Sequence, residues 1–267
     1  MRLNPDEEEL ERARREIISF IREEVANAGA QGGVVGISGG IDSALTATLA
    51  KEALGDNLLA LIMPERGVTS DADVRDAKEL ASRLEIPYHV VEISPAVAEV
   101  MRSFPFDAFP EEQQKLAVAN IKPRLRMINL YLAANLKNLL VIGTGNKTEL
   151  LLGYFTKYGD GGVDLLPIAD LYKTQVRALA RHVGVPEKII HKTPSAGLWR
   201  GQADEAELGM SYSELDRILY ALYDEELSPS QAAEKLNISV EKVRAVEARV
   251  KANEHKRRMP RIKEFEW

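Results

Sequence analysis

No cysteine occurs among the 267 residues. That absence removes disulfides, thiolate metal sites, persulfide relays and a cysteine nucleophile from consideration. No apolar run approaches the roughly 20 residues of a membrane-spanning helix, and Met1-Arg2-Leu3-Asn4-Pro5 opens no signal peptide. A reducing cytoplasm is the expected location, with no membrane partner. Positive charge is not in excess either: 35 Lys and Arg stand against 41 Asp and Glu, a net −6 at pH 7. Such a surface is not coated for nucleic acid. What is present, 45% hydrophobic and 28% charged residues, is the composition of a soluble globular protein. The length suits one α/β domain with a substantial core.

The chain is organised around Gly32-Gly33-Val34-Val35-Gly36-Ile37-Ser38-Gly39-Gly40-Ile41-Asp42-Ser43. An apolar run stops at Ser38, two glycines follow, and Asp42 and Ser43 open Ala44-Leu45-Thr46-Ala47. This predicts a buried strand, a tight turn and a helix N-terminus. Glycines let backbone N–H groups converge on an anion, and a helix start favours phosphate. Such a junction can also serve packing alone, but Ser38, Asp42 and Ser43 argue against an empty turn. A Walker A loop needs a lysine that does not follow Gly39-Gly40, and the GxGxxG spacing fails as well. The hexapeptide Ser38-Gly39-Gly40-Ile41-Asp42-Ser43 resembles the SGGxDS signature of the ATP pyrophosphatase superfamily, whose members cleave ATP between the α and β phosphates to adenylate a substrate.

Along the chain, Asn4-Pro5 is expected to cap a helix running to about Ala28, with Leu10, Ile17, Ile18, Ile21 and Val25 at helical spacing. Leu58 to Met63 and Tyr88 to Ile93 read as strands, separated by a helix that starts at Asp71. The alternation predicts an open, mostly parallel twisted sheet with helices on both faces, Rossmann-like, with ligands at the C-terminal strand ends. Ser103 to Pro110 reads as a loop. Asn120 is expected to cap a long helix with Leu125, Ile128, Leu132 and Leu136 on a core stripe, and Tyr131, Ala133 and Ala134 widening the apolar surface. Leu139 to Thr144 is a fourth strand, Asp164 to Pro167 a short fifth, and Lys173 to Val183 a helix closed by Gly184.

From His191 to Leu208 the chain is poorly periodic, as in a lid or binding segment. Helices are expected again at 213–223, 229–236 and 239–255. Their break at Asn237-Ile238 resembles helix-turn-helix spacing. Nine Lys and Arg against five Glu between 241 and 267 make a basic tail, whose expected use in an acidic protein is gripping phosphates rather than DNA.

A second constellation follows the fourth strand: Gly143-Thr144-Gly145-Asn146-Lys147-Thr148-Glu149, then Gly153-Tyr154-Phe155-Thr156-Lys157-Tyr158-Gly159-Asp160-Gly161-Gly162. It places Lys157 and the carboxylates of Glu149, Asp160 and Asp164 among glycines. Carboxylates near a triphosphate point to a divalent cation that takes oxygens from both. For Asp160 or Asp164 alone, a solvated acidic loop is the alternative.

Together with the first loop, GTGNKTE, GYFTKYGDGG and PSAGLWRGQADEAELG resemble the NAD synthetase family over nearly the whole chain. The resemblance implies one domain, 1–267, with 211–267 a helical C-terminal extension packed on it, and a homodimer with deamido-NAD near the subunit boundary. It implies an ATP site of Gly36, Ser38, Gly39, Gly40, Asp42, Ser43, Thr144, Lys173 and Ser195. It implies a deamido-NAD site of Arg124, Lys157, Asp160, Asp164, His255 and Lys256. Asp42 and Glu149 would hold Mg²⁺, and Asp42, Glu149, Lys157 and Lys173 would be catalytic. Ile41 stands where many members have glutamine, with little consequence expected.

The implied reaction is ATP-dependent amidation of deamido-NAD by ammonia through an acyl adenylate. Family members that use glutamine carry a glutaminase domain with a catalytic cysteine, so free ammonia is the expected donor. The alternatives are another adenylating enzyme, GMP-synthetase-like or lysidine-synthetase-like, or an ATP-binding regulatory module without catalysis.

Overall fold

The computed structural model describes residues 1–265; Glu266 and Trp267, the end of the 211–267 extension, lie outside the described residues. Helix α1 (Glu7–Asn27) buries Leu10, Ile17, Ile18, Ile21 and Val25 as their spacing predicts. It starts two residues later than expected. Asp6 accepts the Glu9 N–H (2.9 Å) while Glu9 accepts the Asp6 N–H (3.1 Å), and this reciprocal pair satisfies two donors that Asn4-Pro5 would leave open.

Strand β1 (Gly32–Gly36) leads into α2 (Ile41–Leu54), then β2 (Leu58–Ile62), α3 (Asp71–Arg83) and β3 (Tyr88–Val90). Next come α4 (Ser94–Ser103), α5 (Glu111–Ala119) and α6 (Ile121–Lys137), before β4 (Leu139–Ile142) and α7 (Lys147–Leu152). The remainder is helical: α8 (Lys173–His182), α9 (Glu187–Ile190), α10 (Asp204–Leu208), α11 (Tyr212–Tyr223), α12 (Pro229–Leu236) and α13 (Val240–Ala252). Among the described residues, no helix is long and apolar enough to cross a membrane.

All strand pairs are parallel, in the order β3-β2-β1-β4. The chain winds outward from β1 through β2 to β3, then returns to place β4 on the other side of β1. That reversal opens a crevice between the loops leaving β1 and β4, the place where such sheets bind ligands. Side chains alternate across the sheet. Val35, Leu58, Ala60, Ile62 and Ile142 pack with α1, α2 and α8. Val34, Leu59, Leu61 and Val141 pack with Val97 and Ala134 on the opposite face. A separate core joins α11, α12 and α13 to Leu152 and Tyr172.

Three expectations are corrected. The fifth strand is a single parallel bridge between Ile142 and Leu165. Beside it the Asp164 carboxylate takes the Val141 N–H (2.7 Å), and Pro167 has no N–H with which to extend a ladder. Asn120 caps nothing with its side chain; it is the joint between α5 and α6, and its Oδ1 accepts the Thr156 hydroxyl (2.7 Å). The faces of α6 are partly exchanged: Leu125 packs on the core as expected, but small Ala134 is buried against the sheet beside Leu130 and Tyr131. Ile128, Leu132 and Leu136 stand 54%, 57% and 78% exposed.

Candidate active site

The turn after β1 is tied by its own hydroxyls. The Ser38 N–H donates to Ser43 Oγ (3.1 Å), the Gly40 N–H to Ser38 Oγ (3.2 Å), and Ser43 Oγ to the Gly40 carbonyl (3.0 Å). Gly39 has φ +85°, and a Cβ there would lie 2.5 Å from the Asp73 carbonyl, so only glycine fits. Lys192 fastens the turn from outside, donating to the Gly39 carbonyl (2.9 Å) and to Asp73 (2.8 Å). Gly40 gives α2 no side-chain cap, which leaves its first-turn N–H groups for an anion.

The loop after β4 folds as a capping box. Asn146, fully buried, accepts the Glu149 N–H (3.0 Å), and Glu149 Oε2 accepts the Asn146 N–H (3.3 Å). Asn146 Nδ2 also donates to Asp42 Oδ1 (2.9 Å). One buried amide thereby joins the two loops at the crevice. Lys173, the first residue of α8 and 2% exposed, donates to Asp42 Oδ2 and to Glu149 Oε1 (3.2 Å). Burial pushes its pKa down, but Asp42 and Glu149 overcome this and hold it above the ordinary lysine value. Burial raises the Glu149 carboxyl, and Asp42 adds to that while Lys173 opposes it.

Two carboxylates around one ammonium form a donor set of hard oxygens with excess negative charge. It fits a Mg²⁺ bound through one or two carboxylates together with phosphate oxygens.

A cavity of about 1060 Å³ opens over this triangle. Its lining includes Gly36, Ser38, Gly40, Asp42, Ser43, Thr144, Lys173 and Ser195 of the expected ATP set but not Gly39, Glu149 of the expected metal pair, and Asp160 and Lys256 of the expected dinucleotide set. Ile41 is buried in the core beneath the turn and contributes one edge. Asp160 accepts the Thr156 N–H (2.8 Å), and burial raises its carboxyl against the pull of Lys256 and Arg126. Lys256 donates to the carbonyls of Gly153 (2.7 Å) and Phe155 (3.0 Å), and burial lowers its pKa.

Arg124, Lys157, Asp164 and His255 are not part of that lining. The Arg124 guanidinium donates to the Lys157 carbonyl (3.4 Å), and Lys157 Nζ to the His255 carbonyl (2.6 Å), so these three form a cluster at the rim. Asp164 accepts the Tyr131 hydroxyl (2.8 Å) as well as the Val141 N–H.

Sequence reading passed over Asn146, Lys192 and Arg126. Arg126 reaches the cavity two residues from Arg124, donating to the Met63 carbonyl (3.1 Å), and burial lowers its pKa. The N-x-x-E pattern of Asn146 and Glu149 was the available signal for the first. Helical phase with Leu130 and Ala134 was the signal for Arg126.

The segment 193–208 supplies part of the cavity lining and is anchored from within. Asp204 accepts the Ala196 N–H (2.8 Å) and the hydroxyls of Tyr154 (3.1 Å) and Tyr212 (3.0 Å). Lys122, on the first turn of α6, donates to the Leu198 carbonyl and lies 2.9 Å from Glu65. The basic tail acts partly within the protein: Arg257 donates to the carbonyls of Leu150 (3.1 Å) and Leu151 (2.7 Å) at the end of α7.

The NAD synthase family pattern matches residues 13–260. An NH(3)-dependent NAD(+) synthetase of Methanosarcina mazei is 50% identical over 258 residues, covering 96% of this chain and 99% of that protein. Among solved structures, an NMN synthetase of Francisella tularensis superimposes with a TM-score of 0.81 at 34% identity, over 98% of this chain and 100% of the other. The NH3-dependent NAD synthetase of Campylobacter jejuni gives a TM-score of 0.79 at 34% identity, over 96% and 99%.

Proposed function

Because this chain belongs to the NAD synthase family, we propose that its cavity amidates deamido-NAD with ammonia at the expense of ATP, giving NAD, AMP and pyrophosphate. The observation that carries the reading is the Asp42–Lys173–Glu149 triangle beside the uncapped start of α2, at the crevice of a parallel sheet.

The chemistry follows from what an amide needs. A nicotinate carboxylate is resonance-stabilised and has no leaving group, so ammonia cannot displace its oxygen. A carboxylate oxygen attacks the ATP α-phosphorus and the bond to the β-phosphate oxygen breaks, releasing pyrophosphate. Ammonia then attacks the acyl carbon, AMP leaves, and the nitrogen sheds its extra proton. No protein nucleophile is required.

The residues position groups and offset charge. The α2 N–H groups and the hydroxyls of Ser38 and Ser43 hold phosphate oxygens, and Lys173 neutralises the departing pyrophosphate. Asp42 and Glu149 hold Mg²⁺. When bound, that ion supplies charge neutralisation on the triphosphate. Asp160, Lys256 and Arg126 serve the dinucleotide end of the cavity. Arg124, Lys157 and His255 extend that end at the rim, and segment 193–208 keeps water from the adenylate.

A second copy of the chain covers the Ile128, Leu132 and Leu136 stripe in a homodimer, since an unbroken apolar helix face is costly to leave in water. We read 1–267 as one unit with 211–267 its helical extension.

The test supplies the pure protein with ATP, Mg²⁺, ammonium and either deamido-NAD or nicotinate mononucleotide. NAD and AMP formed in equal amounts, at a higher kcat/KM than the mononucleotide product, supports the reading. Preference for the mononucleotide would transfer it to the activity named for the Francisella relative. AMP formed with neither acceptor would defeat both.

A further inference from the structure

Glu149 and Lys173 sit on different helices, and their meeting depends on how α7 and α8 are held. Asp216, on α11, is fully buried. Its Oδ1 accepts the Thr148 hydroxyl (2.6 Å) and its Oδ2 the Thr174 N–H (2.8 Å). The Thr148 oxygen in turn accepts the Lys173 N–H (3.0 Å). Thr148 and Thr174 are each the second residue of their helices. Their neighbours, Glu149 and Lys173, turn the other way and enter the cavity.

A carboxylate at two converging helix starts is favoured there by the free N–H groups and the local positive potential. Among the described residues its hydrogen-bond partners are those two threonines, and no lysine or arginine forms an ion pair with it. Burying a carboxylate without a salt-bridge partner is costly, and an amide or an apolar packing would fill the space at less cost. Burial raises its carboxyl, and the hydrogen bonds from Thr148 and Thr174 oppose that rise.

Resting on the reaction assigned above, we infer that Asp216 and Thr148 are positioning residues that set the reach of Lys173 and Glu149 toward Asp42. The geometry is a chain of two bonds, Asp216 to Thr148 to the Lys173 backbone, with a third to Thr174 locking α8 in rotation. It places a determinant of the active site in the helical extension, outside both phosphate-side loops. A shift of these helices of about 1 Å costs up to 100-fold in rate, because reacting groups tolerate little misplacement.

The experiment compares Thr148→Val, Thr148→Ser and Asp216→Asn in the full chain, with folding checked by circular dichroism and thermal melting. Thr148→Val removes the bridging hydroxyl at constant shape and is expected to lower kcat about 10- to 100-fold with KM for ATP changed far less. Thr148→Ser keeps the hydroxyl and should restore most of the rate. In a Lys173→Ala background, Thr148→Val should cost little more, because a residue that acts through Lys173 has nothing left to position. Full additivity in that cycle, or a lowered melting temperature at unchanged kcat, would overturn the inference. Asp216→Asn is expected to follow Thr148→Val; should it fail to fold, the threonine series decides alone. If the wild type forms no NAD, the assigned reaction fails, and the same cycle is read on the rate of AMP release with the acceptor that does turn over, where additivity again refutes the positioning role.

Discussion

At the scale of single residues, the site is a problem of charge. Asp42 and Glu149 share one ammonium, so neutralising either carboxyl changes both what Lys173 faces and what a cation would find. Asp42→Asn and Glu149→Gln should each lower kcat by about 10²- to 10³-fold, the range seen when one preorganised electrostatic group is lost. Circular dichroism should remain that of the wild type. Equal kcat for either variant, measured as AMP release, would remove the pair from the mechanism.

Residues also show how far sequence reasoning reaches. Gly39, Ser38 and Asp42 were legible because strand, glycines and helix start fall in one short stretch. The pairing of Asp42 with Asn146 spans two crossover loops, and no local pattern contains it. Arg126 was passed over for Arg124 because both are basic and only the orientation of α6 separates them.

At the scale of elements, periodicity identified α1 and α3, the turn before α2 and the glycine after α8 marked those two, and the last three helices were legible as well; neighbours bury the apolar residues of all of them. It could not rank the two apolar faces of α6, since the sheet selected the smaller one. The helices α4 and α5 escaped notice because their residues are largely exposed.

The segment 193–208 supports two expectations. With ATP and deamido-NAD bound, its amides should exchange at least several-fold more slowly over seconds to minutes; exchange indifferent to both ligands would deny it a closing role. The second concerns Asp204, whose carboxyl burial raises above its usual 3.8. A raised carboxyl means the native state keeps its proton where the unfolded chain has lost it. The group's contribution is therefore greatest below the unfolded value and declines as pH rises toward the folded one. Relative to Asp204→Asn, wild-type melting temperature should fall as pH is raised from 4, then level off. A difference independent of pH would show that the carboxyl is not perturbed.

At the scale of the whole molecule, the expected particle is a dimer. Leu132→Asp places a charge in the exposed stripe of α6 without touching the core. It should shift sedimentation at low micromolar concentration from dimer to monomer and lower activity in parallel. A wild type that sediments as a fully active monomer would refute the functional half of that expectation, and a Leu132→Asp dimer would move the contact elsewhere.

The helix α6 is a rod of about 25 Å, at 1.5 Å per residue over its 17 residues. Its first turn holds the Leu198 carbonyl through Lys122, and its far end presents Leu136 to the outside. Thermodynamic reciprocity then constrains the protein: any factor by which occupied cavities tighten subunit association is the factor by which association tightens ligand binding. Dilution and substrate would act as opposing effectors on one equilibrium, and the apparent KM would depend on the concentration of the enzyme itself.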